Sequence, residues 1–138
     1  LVDEILEKYP NDVKLVIKNF PLSSHKQANK AALYALASER QGKFHDMYKK
    51  IFANYTELRN NEDLPLQYAV ELGLDIEQMK KDITDPALQD RIQREAAQLK
   101  STGLRMAVPK FLINGVEPPK RDLETYSEII ENILKNTK

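Results

Sequence analysis

Thr102-Gly103-Leu104-Arg105-Met106-Ala107-Val108-Pro109-Lys110-Phe111-Leu112-Ile113-Asn114-Gly115 is the stretch on which the reading of this fold turns. Gly103 stands where a helix closes in a left-handed residue. Residues 110–113 read as a strand following Pro109, and Asn114-Gly115 is a strong two-residue hairpin signal, because both turn positions demand positive φ. A short partner strand around Val116-Glu117 follows, and Pro118-Pro119 stops it.

Downstream, a helix beginning near Asp122 turns Leu123, Tyr126, Ile129, Ile130, Ile133 and Leu134 to one face. Upstream, Leu88, Ile92, Ala96 and Leu99 form the buried stripe of a helix opened by Asp85-Pro86, with proline in the first turn. Ile76, Met79 and Ile83 mark a short helix before it, and Asp63 is placed to cap another through Leu66, Ala69 and Val70. Phe44, Met47, Tyr48, Ile51, Phe52 and Tyr55 recur at helical spacing. A small-residue face of Ala28, Ala31, Ala32 and Ala35 follows a capping-box pair, Ser24 and Gln27, and ends at Gly42. Nearer the start, Val13, Leu15, Val16 and Ile17 give residues 13–20 the composition of a strand covered on both faces, ended by Pro21. Val2, Ile5, Leu6 and Tyr9 belong to a first helix that opens without a cap, so an upstream segment is expected to precede it.

The expected order is helix, strand, a block of helices, hairpin, helix. That is an α/β sheet protein with a helical insertion, in one domain suited to 138 residues. Lys and Arg total 21, as do Asp and Glu, and this balance argues against nucleic-acid partners, which require clustered basic excess. No apolar run reaches the ~18–20 residues of a membrane-spanning helix, so membrane insertion is not expected. Cysteine is absent, which excludes a thiol nucleophile, a thiolate metal site or a disulfide within these residues. His25 and His45 have no ligand partner at metal-site spacing, the carboxylates are scattered, and the four glycines read as caps or turns rather than a phosphate loop. Neither a metal nor a cofactor is expected.

Three segments together resemble the DsbA-like thioredoxin-fold proteins. They are Lys14-Leu15-Val16-Ile17-Lys18-Asn19-Phe20-Pro21-Leu22 with His25, then Gln41-Gly42-Lys43-Phe44-His45-Asp46-Met47-Tyr48, then the opening stretch from Thr102 to Gly115. Their order and spacing match the family across essentially the whole chain. The resemblance implies a thioredoxin-like fold from residues 1–22 and 103–138, with residues 23–102 as the helical insertion. It implies a thiol–disulfide oxidoreductase acting on cysteine-containing proteins or peptides, regenerated by a redox partner and working outside the cytoplasm, in the periplasm or as a secreted protein, where disulfides persist. In that family a Cys-x-x-Cys turn opens the first helix, whose N-terminus lowers the pKa of the leading thiol. Here that turn and the central first strand are expected upstream of Leu1. The 138 residues alone are therefore expected to be redox-inactive, and to be unstable or to self-associate to fill the missing strand.

The resemblance also implies that Met106, Ala107, Val108 and Pro109 form a cis-proline loop that pairs with bound peptide. Taken alone, Val108-Pro109 reads as a trans proline opening an edge strand, since an X-Pro bond is rarely cis; it is the resemblance that favours cis. Lys110 and the run Pro118-Pro119-Lys120-Arg121 depart from the family pattern, which leaves the subfamily and the redox direction open. The aromatic stripe from Phe44 to Tyr55 reads first as core of the insertion and second as the lining of a groove for unfolded substrate. Two other functions share this sequence pattern: a cysteine-less thioredoxin-fold module that binds peptides, and a relative that uses the fold for glutathione-linked isomerisation.

Overall fold

A computed structural model describes residues 1–137. Its helices are α1 (Val2–Lys8), α2 (Ala28–Arg40), α3 (Phe44–Ala53), α4 (Tyr55–Leu58), α5 (Pro65–Glu71), α6 (Ile76–Asp82), α7 (Pro86–Ser101) and α8 (Leu123–Thr137). The chain divides into two compact units, Leu1–Ile17 with Arg105–Lys138, and Lys18–Leu104.

In the second unit α2 is the central element, packed by α3, α5, α6 and α7. Its alanines make this possible, because Ala31, Ala35 and Ala37 are buried and let neighbouring backbones approach. Tyr34, Leu36, Met47, Met79 and Ile92 fill the remaining volume. Gly42, at φ 75°, ends α2 and allows the Lys43 N–H to donate back to the Ser38 carbonyl at 2.9 Å. Asp75 caps α6 by accepting from Gln78 N at 3.0 Å, and Asp85 caps α7 by accepting from Ala87 N at 2.9 Å. Arg40 bridges Asp82 and Asp85 at 2.8 and 2.9 Å, tying the end of α2 to both. A carboxylate can be buried only if it is hydrogen-bonded. Glu95 on α7 meets that requirement through Asn19, whose backbone N and Nδ2 donate at 3.2 and 2.8 Å.

In the first unit α1 packs on α8 through Ile5, Tyr9, Tyr126 and Ile130, with Val13, Phe111 and Ile113 against them. Two polar contacts orient the pair: the Tyr9 hydroxyl donates to Glu131 Oε1 at 2.8 Å, and Lys8 Nζ donates to Ser127 Oγ at 3.0 Å.

Four expectations are corrected. The α/β sheet is not formed among the described residues. Residues 13–20 join no ladder, and the strand expected at 110–113 contributes one antiparallel bridge, Ile113 to Val116. The physical reason is that strand propensity needs a paired neighbour to become a sheet, and no other strand lies alongside among the described residues. Burial nevertheless alternates, with Val13, Leu15 and Ile17 half-buried and Lys14, Val16 and Lys18 exposed, as expected of a chain laid flat on one side. Ser24 does not cap α2; residues around His25 form tight backbone turns, Leu22 to His25 and His25 to Ala28, and Gln27 takes the cap position without a side-chain bond. Asp63 does not cap α5 with its side chain, because that carboxylate is engaged by Tyr34 and Lys30. The stripe from Phe44 to Tyr55 is interrupted at Asn54, and only its first part is core. Met47 and Ile51 are buried, while Phe52 and Tyr55 are 66% and 59% exposed.

The Tyr34–Asp63–Lys30 cluster sets an acid limit on stability. The Tyr34 hydroxyl donates to Asp63 Oδ1 at 2.7 Å, and Lys30 Nζ lies 2.7 Å from the same oxygen. These bonds, Lys30 first and Tyr34 second, hold the Asp63 carboxyl below its ordinary range. A depressed folded pKa adds stability that is complete above the unfolded value of about 3.9 and is lost as pH falls through the lower folded value. Thermal melts from pH 7 to pH 2 should show a midpoint that declines below about pH 4. Asp63→Asn should lower the midpoint at pH 7 and flatten the decline; a variant with an unchanged acid slope would remove Asp63 from this account.

Candidate functional site

The loop singled out in the sequence, Met106, Ala107, Val108 and Pro109, lies in the first unit where the chain leaves residue 105 and enters the hairpin. The Ala107 N–H donates to the Arg105 carbonyl at 2.9 Å, a tight three-residue turn. Met106 and Val108 are each 41% exposed, and the Val108–Pro109 peptide bond is cis. An apolar pair left this open at a backbone kink can contact a ligand chain.

Behind the loop the hairpin is closed by reciprocal bonds between Ile113 and Val116, N–H to carbonyl at 2.9 and 3.1 Å. Asn114 and Gly115 have φ of 47° and 84°, the left-handed geometry that a two-residue turn of this kind needs. Lys110, noted in the sequence only as a departure, has a side chain that is 7% exposed and pairs with Glu117 at 2.7 Å across the hairpin. Arg121, the other departure, donates from Nη2 to the Pro109 carbonyl at 2.7 Å, and its guanidinium lies 5.8 Å from the centre of the Phe111 ring. Phe111 in turn meets Tyr126 edge-on, with centroids 6.2 Å apart. Burial pushes the Tyr126 hydroxyl up, and it is buried without a hydrogen-bond partner. Asp122 caps α8, accepting from Thr125 N at 2.7 Å, and that bond holds its carboxyl below the ordinary range.

The sequence missed Arg121 and the Lys110–Glu117 pair. Nothing local signals them: their partners lie 12 and 7 residues away, and only the hairpin brings them together. His45 stacks edge-on against Tyr48 at 5.2 Å, a packing role. Among the described residues no group of three His, Cys, Asp or Glu could hold a metal ion, and no helix is long and apolar enough to cross a membrane.

A sequence model described as Thioredoxin matches residues 1–132. The chain belongs to the thioredoxin family. The hairpin and the proline loop lie within that match, as do α1 and most of α8, so the family resemblance extends over both units. Among curated proteins, a Na(+)/H(+) antiporter NhaA 1 from Mycobacterium sp. (strain KMS) is 31% identical over 117 residues, covering 83% of this chain and 19% of that protein. The Na(+)/H(+) antiporter NhaA from Herminiimonas arsenicoxydans is 28% identical over 137 residues, covering 99% of this chain and 21% of that protein. The thioredoxin-family chain thus spans about a fifth of the length of the curated relatives it matches. No solved structure gives a significant match.

The Lys110–Glu117 pair tests whether the hairpin is held by charge. Breaking one partner strands a mostly buried ammonium, whereas removing both does not. Glu117→Gln should cost about 1–2 kcal/mol in chemical denaturation, and Lys110→Met combined with Glu117→Gln should recover at least half of that loss. Additive losses would show that the two side chains act independently.

Proposed function

We propose that this chain is part of a DsbA-like thiol–disulfide oxidoreductase, supplying the helical insertion and the peptide-contacting loop. The observation that carries the reading is the thioredoxin-family match over residues 1–132 on a chain whose loop presents Met106, Val108 and Pro109 at the surface. With no cysteine among 138 residues, the dithiol must come from residues outside this sequence, and a Cys-x-x-Cys turn leading into α1 fits the family. Disulfide exchange needs a thiolate to attack a disulfide sulfur, forming a mixed disulfide and releasing the second sulfur as thiolate. Residues here take no part in that electron transfer; they bind and orient the polypeptide that carries the sulfur. The substrates are cysteine-containing proteins or peptides, a separate redox partner returns the cysteine pair to its starting oxidation state after each exchange, and the reaction belongs outside the cytoplasm.

A second reading follows from the same absence of cysteine: a thioredoxin-fold module that binds peptides through the same loop and performs no chemistry. The antiporter name belongs to proteins about five times as long, and ion transport is not proposed for this chain.

The test uses the full-length protein containing this chain, incubated with a reduced, unfolded dithiol protein under air. Catalysed disulfide formation, abolished when the upstream cysteines are replaced by serine, is the expected outcome. A full-length protein with no cysteine ahead of Leu1 that still binds unfolded peptide would establish the non-catalytic module instead.

A further inference from the structure

The Val108–Pro109 loop has an exposed apolar side and a side that is fastened to the rest of its unit. Proline has no N–H, so position 109 can be held through its backbone only at the carbonyl. That carbonyl is taken by Arg121 Nη2 at 2.7 Å. The guanidinium does not hang free: it lies 5.8 Å from the centre of the Phe111 ring, which meets Tyr126 of α8 at 6.2 Å and packs against the core of its unit. Arg121 itself immediately precedes Asp122, the residue that accepts from Thr125 N and fixes the first turn of α8. A continuous set of contacts therefore runs from the start of α8 through Arg121 to the Pro109 carbonyl, two bonds from the cis peptide that carries Val108. Lys110 and Glu117 brace the hairpin that follows the loop.

We infer that Arg121 is the positioning residue of the peptide-contacting loop, aligning Met106 and Val108 for an extended polypeptide by holding the Pro109 carbonyl. The inference rests on the peptide-binding reading above. Arg121 touches no substrate; it acts through Pro109. A guanidinium suits the task because its planar face can lie on Phe111 while one edge N–H donates to the carbonyl. Arg121 is exposed, so it contributes little to the core, and its loss should move the loop without unfolding the unit.

The test is made on the full-length, isotopically labelled protein, with an end-blocked, unstructured heptapeptide of valine, alanine and serine as probe. In the wild type the peptide should shift the amide signals of Met106, Ala107 and Val108. Arg121→Met should broaden or displace those loop amides in the free protein and weaken peptide binding about fivefold, the value of one hydrogen bond. Its melting temperature should barely change. Arg121→Lys, which restores a donor, should return affinity to within about twofold of wild type.

If the wild type binds the peptide at these amides but Arg121→Met leaves loop signals and affinity unchanged, the positioning role is wrong and the peptide-binding reading stands. A wild type whose loop amides ignore the peptide overturns both. Should Arg121→Met fail to fold, Arg121→Ala takes its place, and unchanged loop signals and affinity in that variant overturn the positioning role in the same way.

Discussion

Buried backbone N–H and C=O groups must find partners, at about 1–3 kcal/mol for each one left without, and this requirement governs the unit made of Leu1–Ile17 and Arg105–Lys138. Helices α1 and α8 pair their own backbones and can bury Ile5, Tyr9, Tyr126 and Ile130 freely. Residues 13–17 and 110–113 have no such independence. Their apolar side chains are of strand type, yet among the described residues the pairing consists of one bridge between Ile113 and Val116. Burial of these segments is therefore one-sided. Val13, Phe111 and Ile113 turn to the helices, and Val16, Leu112 and Val116 remain exposed.

The unit Lys18–Leu104 is free of that constraint because its ordered elements are helices. What it must satisfy instead are helix ends and a few buried polar groups. Asp75 and Asp85 supply caps, Gly42 supplies the left-handed turn, and Asn19 satisfies the buried Glu95. Side chains that serve two elements at once, such as Arg40 on Asp82 and Asp85, fix the order of the short helices around α2. The exposed Phe52 and Tyr55 stand outside this scheme: Phe52 lies on the open face of α3 before the break at Asn54, and Tyr55 begins α4 after it.

At the candidate site the requirement returns in a local form. A loop containing proline has one fewer donor with which to anchor itself, and side chains take over. Arg121 holds the Pro109 carbonyl, while Lys110 and Glu117 brace the hairpin. The two places where this sequence departs from the DsbA-like pattern are the places where these contacts arise. In this thioredoxin-family chain the loop is thus held by side chains of its own unit, and no cysteine lies among the 138 residues.

Helix positions were legible because amphipathic spacing, Asp caps and glycine stops are local, each acting within a few residues of itself. The Asn114-Gly115 turn was legible for the same reason, since positive φ at two adjacent residues is a local demand. The fate of residues 13–20 was not, because a strand is completed by hydrogen bonds to a neighbour that its own sequence cannot specify. Nor could sequence foretell that Asp63 would serve Tyr34 and Lys30 rather than a helix end, or that Arg121 would reach Pro109. A side chain with several available partners takes the one that folding brings within about 3 Å, and that choice belongs to the tertiary structure alone.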